Sequence, residues 1–424
     1  MSSLFLIIFL ILLFTGIPMA LVLMVVLALV IKFTTNLPLT SIPQQMFSGI
    51  DNYLLVAVFF FIMAGNIMSE GAASKRLIRI GNSILGMTKG GLAISGVLAC
   101  VIFAAISGSS SATIIAIGSI MIPALIKEGY GKHFSLGLLT CSGSLGILIP
   151  PSVPLVIWCL VMGLSISKQF IAGFLPGFLI ALILIGYSLI LSERHGWKGK
   201  QEVNWKEIRV AFKEGIWALS LPVVILGGIY SGIFTPTEAS AVAVIYSLFI
   251  EIFIHRDLKF SNLHAILKQS ALMSSSLLLI IAAASGVSWF FSIQQIPTLI
   301  ADAMIQVINS KWLFLLMVNF TMLILGCFVD LVSAIVILGP IFLPMLEKFN
   351  IDPFHFGIIM IINIEIGFLT PPFGLNLFVT CGLTRESFTE VARSVIPYIM
   401  LMFGGLIMIT YIPWISTFLI QFVK

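Results

Sequence analysis

The chain has 424 residues, of which 59% are hydrophobic and only 9% charged, with a mean hydropathy of +1.16. Soluble domains carry about 25% charged residues, so these values exclude a soluble enzyme and leave an integral membrane protein of many spans. The net charge of +5 sits in a few loops and reads as membrane topology, not as nucleic-acid binding.

The first apolar run, 4–32, is broken at Gly16-Ile17-Pro18. It opens without a basic stretch or a small-residue cleavage site, so it is not read as a signal peptide. Roughly 28 residues are short for two full spans, and the run crosses once or twice. A loop at 33–49 without basic residues follows, then a span at 52–69 and an amphipathic arm at 70–90.

Residues 91–126 form two apolar arms around Ser107-Gly108-Ser109-Ser110-Ser111-Ala112-Thr113. The arms, 92–106 and 114–126, have about 13–15 residues each, too short for a ~30 Å hydrocarbon core. Lys75, Arg76, Arg79 and Lys89 lie before them, and Lys127, Lys132 and His133 after, so both ends lie in the cytoplasm. The spacing predicts a re-entrant hairpin with a polar tip at mid-membrane. Next comes 134–164, interrupted by Gly146-Ile147-Leu148-Ile149-Pro150-Pro151-Ser152-Val153-Pro154. Proline lacks an N–H and bars the α conformation from the preceding residue, so this is a helix broken inside the bilayer. A span at 168–192 completes the half.

Residues 193–215 are rich in Lys, Arg and Glu and read as a cytoplasmic linker with an amphipathic helical stretch at 205–212. Beyond the linker the pattern returns at one offset. Gly65 and Gly286, Gly118 and Gly339, Pro123 and Pro344, Gly146 and Gly367, Pro150-Pro151 and Pro371-Pro372, and Pro176 and Pro397 are each 221 residues apart. The second half, 216–424, therefore repeats the first, 1–192. Its arm falls at 292–308, its hairpin at 311–347 and its broken helix at 354–383. The basic loops change sides. The 292–300 stretch has no Lys or Arg, whereas 255–268 holds Arg256, Lys259 and Lys268 opposite the uncharged 33–49 loop. The repeat is therefore inverted in the membrane. The 217–254 region, broken near Thr235-Pro236-Thr237, has basic flanks at both ends and should cross twice, so symmetry puts the N-terminus outside the cytoplasm.

The fold class is an all-α polytopic membrane protein with two re-entrant hairpins and two broken helices. Such repeats place substrate and coupling-ion sites where the broken elements meet. The second tip, Gly326-Cys327-Phe328-Val329-Asp330-Leu331-Val332-Ser333, carries Asp330 at the position of Ser109. An acid at membrane depth is costly without a partner and defaults to a functional role: ligating a cation, accepting a proton or holding substrate hydroxyls. It can also tie the tip together. Gly143, Ser144, Gly146, Pro150, Pro151 and Ser152 are expected to face the first tip. Thr370, Pro371, Phe373, Gly374 and Asn376 are expected to face the second. Each tip with its break makes a cage of free carbonyls and hydroxyls suited to a cation, so the sequence predicts two cation sites. Glu238, Glu251 and Glu365 are less decisive, and Glu365 divides evenly between structural pairing and function. The five cysteines and five histidines show neither CxxC nor HExxH spacing, and no Walker A motif is present. An intramembrane aspartyl protease needs two facing acids, but Asp330 maps onto a serine. A channel does not call for inverted hairpins.

Ser-Gly-Ser-Ser-Ser-Ala-Thr at 107–113, the Gly-x-Leu-x-Pro-Pro breaks at 146–151 and 367–372, and Gly-Cys-Phe-Val-Asp at 326–330 resemble the large membrane subunit of TRAP transporters, the DctM/SiaM type. The resemblance covers essentially the whole chain. It implies an importer of the bacterial inner membrane driven by a Na⁺ gradient through an elevator movement. Hairpins and broken helices would move, the other spans would form a scaffold, and the arms would join the two. It also implies two partners: a small four-helix membrane subunit, and a periplasmic binding protein that delivers an organic acid such as sialic acid or a C4-dicarboxylate. Because the chain begins at its first apolar run, the small subunit is expected to be separate. Carried onto this sequence, Ser107, Ser110, Gly143, Gly146 and Pro151 would form a first Na⁺ site. Gly326, Phe328, Asp330, Thr370 and Phe373 would form a second. Ser109, Ser111, Asp330, Ser152, Gly374 and Asn376 are the candidate substrate contacts. A stand-alone Na⁺-coupled carboxylate symporter is the alternative.

Overall fold

The computed structural model describes residues 8–9, 11–12, 16–86, 88–197, 204–308 and 310–423. Residues 4–7, 10 and 13–15 of the expected opening run therefore lie outside the described residues, as do 198–203 of the linker. Every regular element among the described residues is helical, and seven helices are long and apolar enough to cross a bilayer. This is what a chain of apolar runs must do where no water satisfies backbone N–H and C=O groups.

The elements of the two halves correspond one by one. The arms are Ala73–Leu85 and Ile296–Val307. The first hairpin pairs Gly91–Ser107 with Ser110–Lys127, and the second pairs Lys311–Gly326 with Leu331–Lys348. Ser110–Lys127 and Leu331–Lys348 coincide end for end at the 221-residue offset. The broken helices are Lys132–Gly143 with Val153–Met162, and Pro353–Phe368 with Leu375–Thr384. Spans Ile166–His195 and Phe388–Tyr411 close the halves.

Two expectations are corrected. The second arm of the first hairpin has 18 residues, more than the 114–126 expected, because helix begins immediately after the tip residue that caps it, and Leu331–Lys348 of the second hairpin has the same length. The 33–49 stretch is not simply a loop. Ser41–Ile50 is a helix, with Pro43 tolerated in its first turn, and it meets Leu54–Glu70 at a 62° bend. The second half has instead one 34-residue helix, Phe260–Ile293. The reason is local. Asn52 at the bend accepts a bond from Leu54 N–H through its own side chain (3.0 Å), offering the backbone an alternative to helix. Its counterpart at the offset is Met273, a good helix former.

Scaffold helices Met19–Thr34, Ser41–Ile50 and Leu54–Glu70 pack against Phe260–Ile293, and Pro236–Ile254 packs against Leu54–Glu70 and Trp205–Tyr230. The first arm buries Ala73, Leu77, Ile78 and Ile80 and turns Arg79 outward to Glu207 (2.8 Å) and Glu214 on Trp205–Tyr230. These two acceptors hold the Arg79 guanidinium above its ordinary pKa. Arg76 pairs with Asp257 at 2.6 Å.

The broken helix of each half is held to the broken helix and the closing span of the other. Trp158 Nε1 donates to the Pro353 carbonyl (3.1 Å), Gln169 Nε2 to that of Phe354 (3.2 Å) and Tyr398 OH to that of Phe134 (3.1 Å). The Thr140 and Thr380 hydroxyls meet at 2.9 Å. A 250 Å³ cavity lies between scaffold residues Asn52, Ile281 and Ser285 and the hairpin and broken-helix residues Leu160, Val161 and Val336.

Candidate functional site: two tips against two breaks

At the first tip, helix Gly91–Ser107 ends at Gly108 in the left-handed region (φ 59°). Ser109 is extended and caps the next helix, accepting from Ala112 N–H (3.4 Å). Ser107 Oγ meets Thr113 Oγ1 (3.0 Å), and Thr113 Oγ1 donates to the Ser109 carbonyl (2.8 Å). The capped helix carries a π turn at Ile114–Gly118, a feature often found at functional sites.

The facing break runs through a 3₁₀ turn, Ser144–Ile147, to a cis Pro150–Pro151 bond. Tip and break meet backbone to backbone. A Cβ on Gly146 would strike the Ser109 carbonyl, and one on Gly108 would lie 2.7 Å from the Pro151 carbonyl. The structure thus brings Ser107, Ser110, Gly146 and Pro151 into one fully buried neighbourhood. Gly143 lies one step away, against Ile114. Ser111 is half-buried. Ser152 Oγ donates to the Ile147 carbonyl (2.6 Å) and so braces the break from within.

At the second tip, Gly326 packs on the Ile364 and Gly367 backbone. The Phe328 and Phe373 rings meet edge to face, 5.7 Å apart. Thr370 Oγ1 donates to the Ile366 carbonyl (2.8 Å), Pro371–Pro372 is cis, and Gly374 is left-handed (φ 48°). Asp330 caps Leu331–Lys348: Oδ1 accepts from Ser333 N–H (2.9 Å) and Oδ2 from Ser333 Oγ (2.5 Å). Asp330 and Ser109 therefore do the same local job at the same repeat position, since both residue types are good N-caps. That pattern was readable in Asp330-x-x-Ser333. Gly326, Phe328 and Phe373 meet where this tip and its break touch, whereas the Thr370 hydroxyl stays bonded within its own helix end. Pro371, Pro372 and Phe373 are exposed, whereas Pro150, Pro151 and Ser152 are buried.

Asn376 departs from expectation. It does not turn to the second tip. It is fully buried, donates Nδ2 to Glu365 Oε1 (2.6 Å) and accepts from Ser110 Oγ of the first tip (3.4 Å). Glu365 is likewise fully buried, and it lies 221 residues from Ser144, a pairing that could have singled it out in the sequence. Glu238 is accounted for by a capping box with Thr235, whose N–H donates to it at 2.8 Å. Glu251 is buried beside His255 (3.3 Å) at the end of its span.

The family described as "Tripartite ATP-independent periplasmic transporter, DctM component" matches residues 6–415. The chain is 41% identical to the isethionate TRAP transporter permease protein DctMQ of Oleidesulfovibrio alaskensis, over 95% of this chain and 64% of that protein. It thus spans slightly less than two thirds of that relative's length. It is 37% identical to the C4-dicarboxylate TRAP transporter large permease protein DctM of Rhodobacter capsulatus, covering 96% of this chain and 95% of that one. Identity to the protein of the same description from Vibrio cholerae is 39%, covering 95% and 94%. In fold it is similar to the Alcanivorax borkumensis YdaH transporter, with a TM-score of 0.64 and 15% identity over 93% of this chain and 96% of that one. The chain therefore belongs to the DctM family of TRAP transporter large permease subunits, multi-pass proteins of the bacterial inner membrane.

Proposed function

We propose that this chain is the transporting subunit of a tripartite, ATP-independent importer in which Na⁺ entry drives uptake of an organic acid. A periplasmic binding protein delivers the acid, and a separate small four-helix membrane subunit completes the assembly. The substrate is an organic acid of the C4-dicarboxylate or sialic acid type. The C4 class is favoured because it stands in the names of several relatives.

The observation that carries this reading is the first tip seated backbone to backbone on the first break. A C-terminal helix end, a left-handed glycine and the buried Ser107 and Ser110 hydroxyls offer neutral oxygens, which a dehydrated Na⁺ requires. The helix N-termini that follow the tips and breaks point partial positive charge at an anion's place. Ser107, Ser110, Gly143, Gly146 and Pro151 hold one Na⁺. Gly326, Phe328, Asp330, Thr370 and Phe373 hold the other. Hairpins and broken helices move as one body past the scaffold, with the arms as struts.

The test is uptake of a labelled C4-dicarboxylate into proteoliposomes holding both membrane subunits, with the binding protein outside. Uptake should require an inward Na⁺ gradient and the binding protein. Uptake without the binding protein would point to a stand-alone symporter. Equal uptake under a K⁺ gradient would contradict Na⁺ coupling.

A further inference from the structure

We propose that Glu365, Asn376, Ser110 and Ser144 form a monovalent-cation site on the axis between the two cages, with the Glu365 carboxylate as its anionic ligand. The proposal rests on the Na⁺-coupled reading above and deepens it.

Four observations carry it. The first is burial: Glu365, Asn376 and Ser144 expose none of their surface and Ser110 only 5%. The second is charge. The groups beside the carboxylate are neutral (Asn376, Ser110 and Ser144), with no Lys, Arg or His side chain among the described residues set against it. A carboxylate in such surroundings is very costly without a compensating positive charge. The third is coordination. Glu365 Oε1 is engaged by Asn376, but Glu365 Oε2 and Ser144 Oγ make no hydrogen bond of ordinary geometry although Ser110 and Ser144 stand beside the carboxylate. Ser142 Oγ, two residues away in the chain, is buried and unpartnered too. A carboxylate oxygen, two hydroxyls and an amide carbonyl make a hard-oxygen set suited to Na⁺. The fourth is symmetry. Ser144 and Glu365 are equivalent positions of the two repeats, 221 residues apart, and they lie side by side. Equivalent residues can meet only at the axis relating the halves. The site therefore belongs to neither cage alone. It takes Ser110 and Ser144 from the first repeat and Glu365 and Asn376 from the second, so an ion there would hold the two broken helices to one another and to the first tip.

The competing account is a carboxyl held neutral by a proton, and Glu365→Gln separates the two because glutamine keeps its shape and hydrogen bond to Asn376 but not its charge. The experiment is a Na⁺ titration of thermal stability in detergent-purified protein, repeated for the Na⁺ dependence of uptake in proteoliposomes. Wild type should be stabilised by Na⁺ with a slope above one. Glu365→Gln should melt near wild type without Na⁺, show a midpoint shifted upward about tenfold or more, and lose about one ion from the slope. Ser144→Ala, a smaller change, should shift the midpoint in the same direction by a lesser factor, and it decides the question if the Gln variant does not fold. A Glu365→Gln or Ser144→Ala titration superimposable on wild type would overturn the site while leaving Na⁺ coupling intact. No Na⁺ response in wild type would overturn the coupling itself.

Discussion

The two cages share an offset and a design, but they are built to different degrees of closure. The first is walled in. Its break is buried throughout, and its tip lies under scaffold residue Gly65, where a Cβ would come within 3.0 Å of the Ser107 backbone. The second stands open. Pro371, Pro372 and Phe373 are exposed, and the residue equivalent to Gly65, Gly286, touches Leu27 and Met46 instead of the second tip. The local chemistry diverges in step. The first tip uses serine hydroxyls and a π turn, and the second an aspartate cap and a pair of phenylalanine rings. A repeat can therefore keep its backbone breaks and still differ in closure. A sealed cage of neutral oxygens suits an ion that must be dehydrated, and an open break leaves the residues around the second tip accessible from outside the fold.

The comparison can be broken most forcefully at its tightest point. Gly146→Val places a branched side chain into the Ser109 carbonyl, an overpacking of about 1–3 kcal/mol or more, and should abolish Na⁺-driven uptake. Asp330→Ala comes next. Losing the cap costs about 0.5–2 kcal/mol, and uptake should fall about tenfold or more while the protein stays in the membrane. Wild-type-like uptake would remove Asp330 from the mechanism. Ser109→Ala, its counterpart, loses a longer and weaker cap bond and should reduce uptake by a smaller factor. An effect equal to that of Asp330→Ala would erase the distinction between the tips. The smallest effect belongs outside the cages. Arg79→Ala breaks half-exposed ion pairs to Glu207 and Glu214, each contributing about 0–1 kcal/mol, so uptake should drop less than about twofold, and less still in high salt.

The repeat was legible in the sequence because glycine and proline recur at one offset, yet only Gly146 and Gly367 and the two Pro-Pro pairs stand at breaks; Gly65 and Gly286, Gly118 and Gly339, Pro123 and Pro344, and Pro176 and Pro397 lie inside helices. The tips were legible because Ser-Gly-Ser and an aspartate interrupt apolar runs. Helix ends were less so. Ser109 starts its helix at once, which lengthened an arm expected to begin at 114, and Asp330 starts its own in the same way. The 33–49 stretch hid a helix because its ten residues at Ser41–Ile50 contain a proline and two serines and resemble a loop. The turning of Asn376 away from its own tip had no local signal. Its partners, Glu365 and Ser110, are brought to it by the packing of one half on the other.

The division into a sealed cage and an open one is tested most directly by cysteine accessibility in an otherwise cysteine-free protein. Phe373→Cys and Ser152→Cys, at equivalent breaks of the two repeats, would be reacted with a small maleimide in membranes containing Na⁺. Phe373, 43% exposed, should react readily, whereas Ser152, fully buried, should stay unmodified. Equal reaction rates at the two positions would contradict the account.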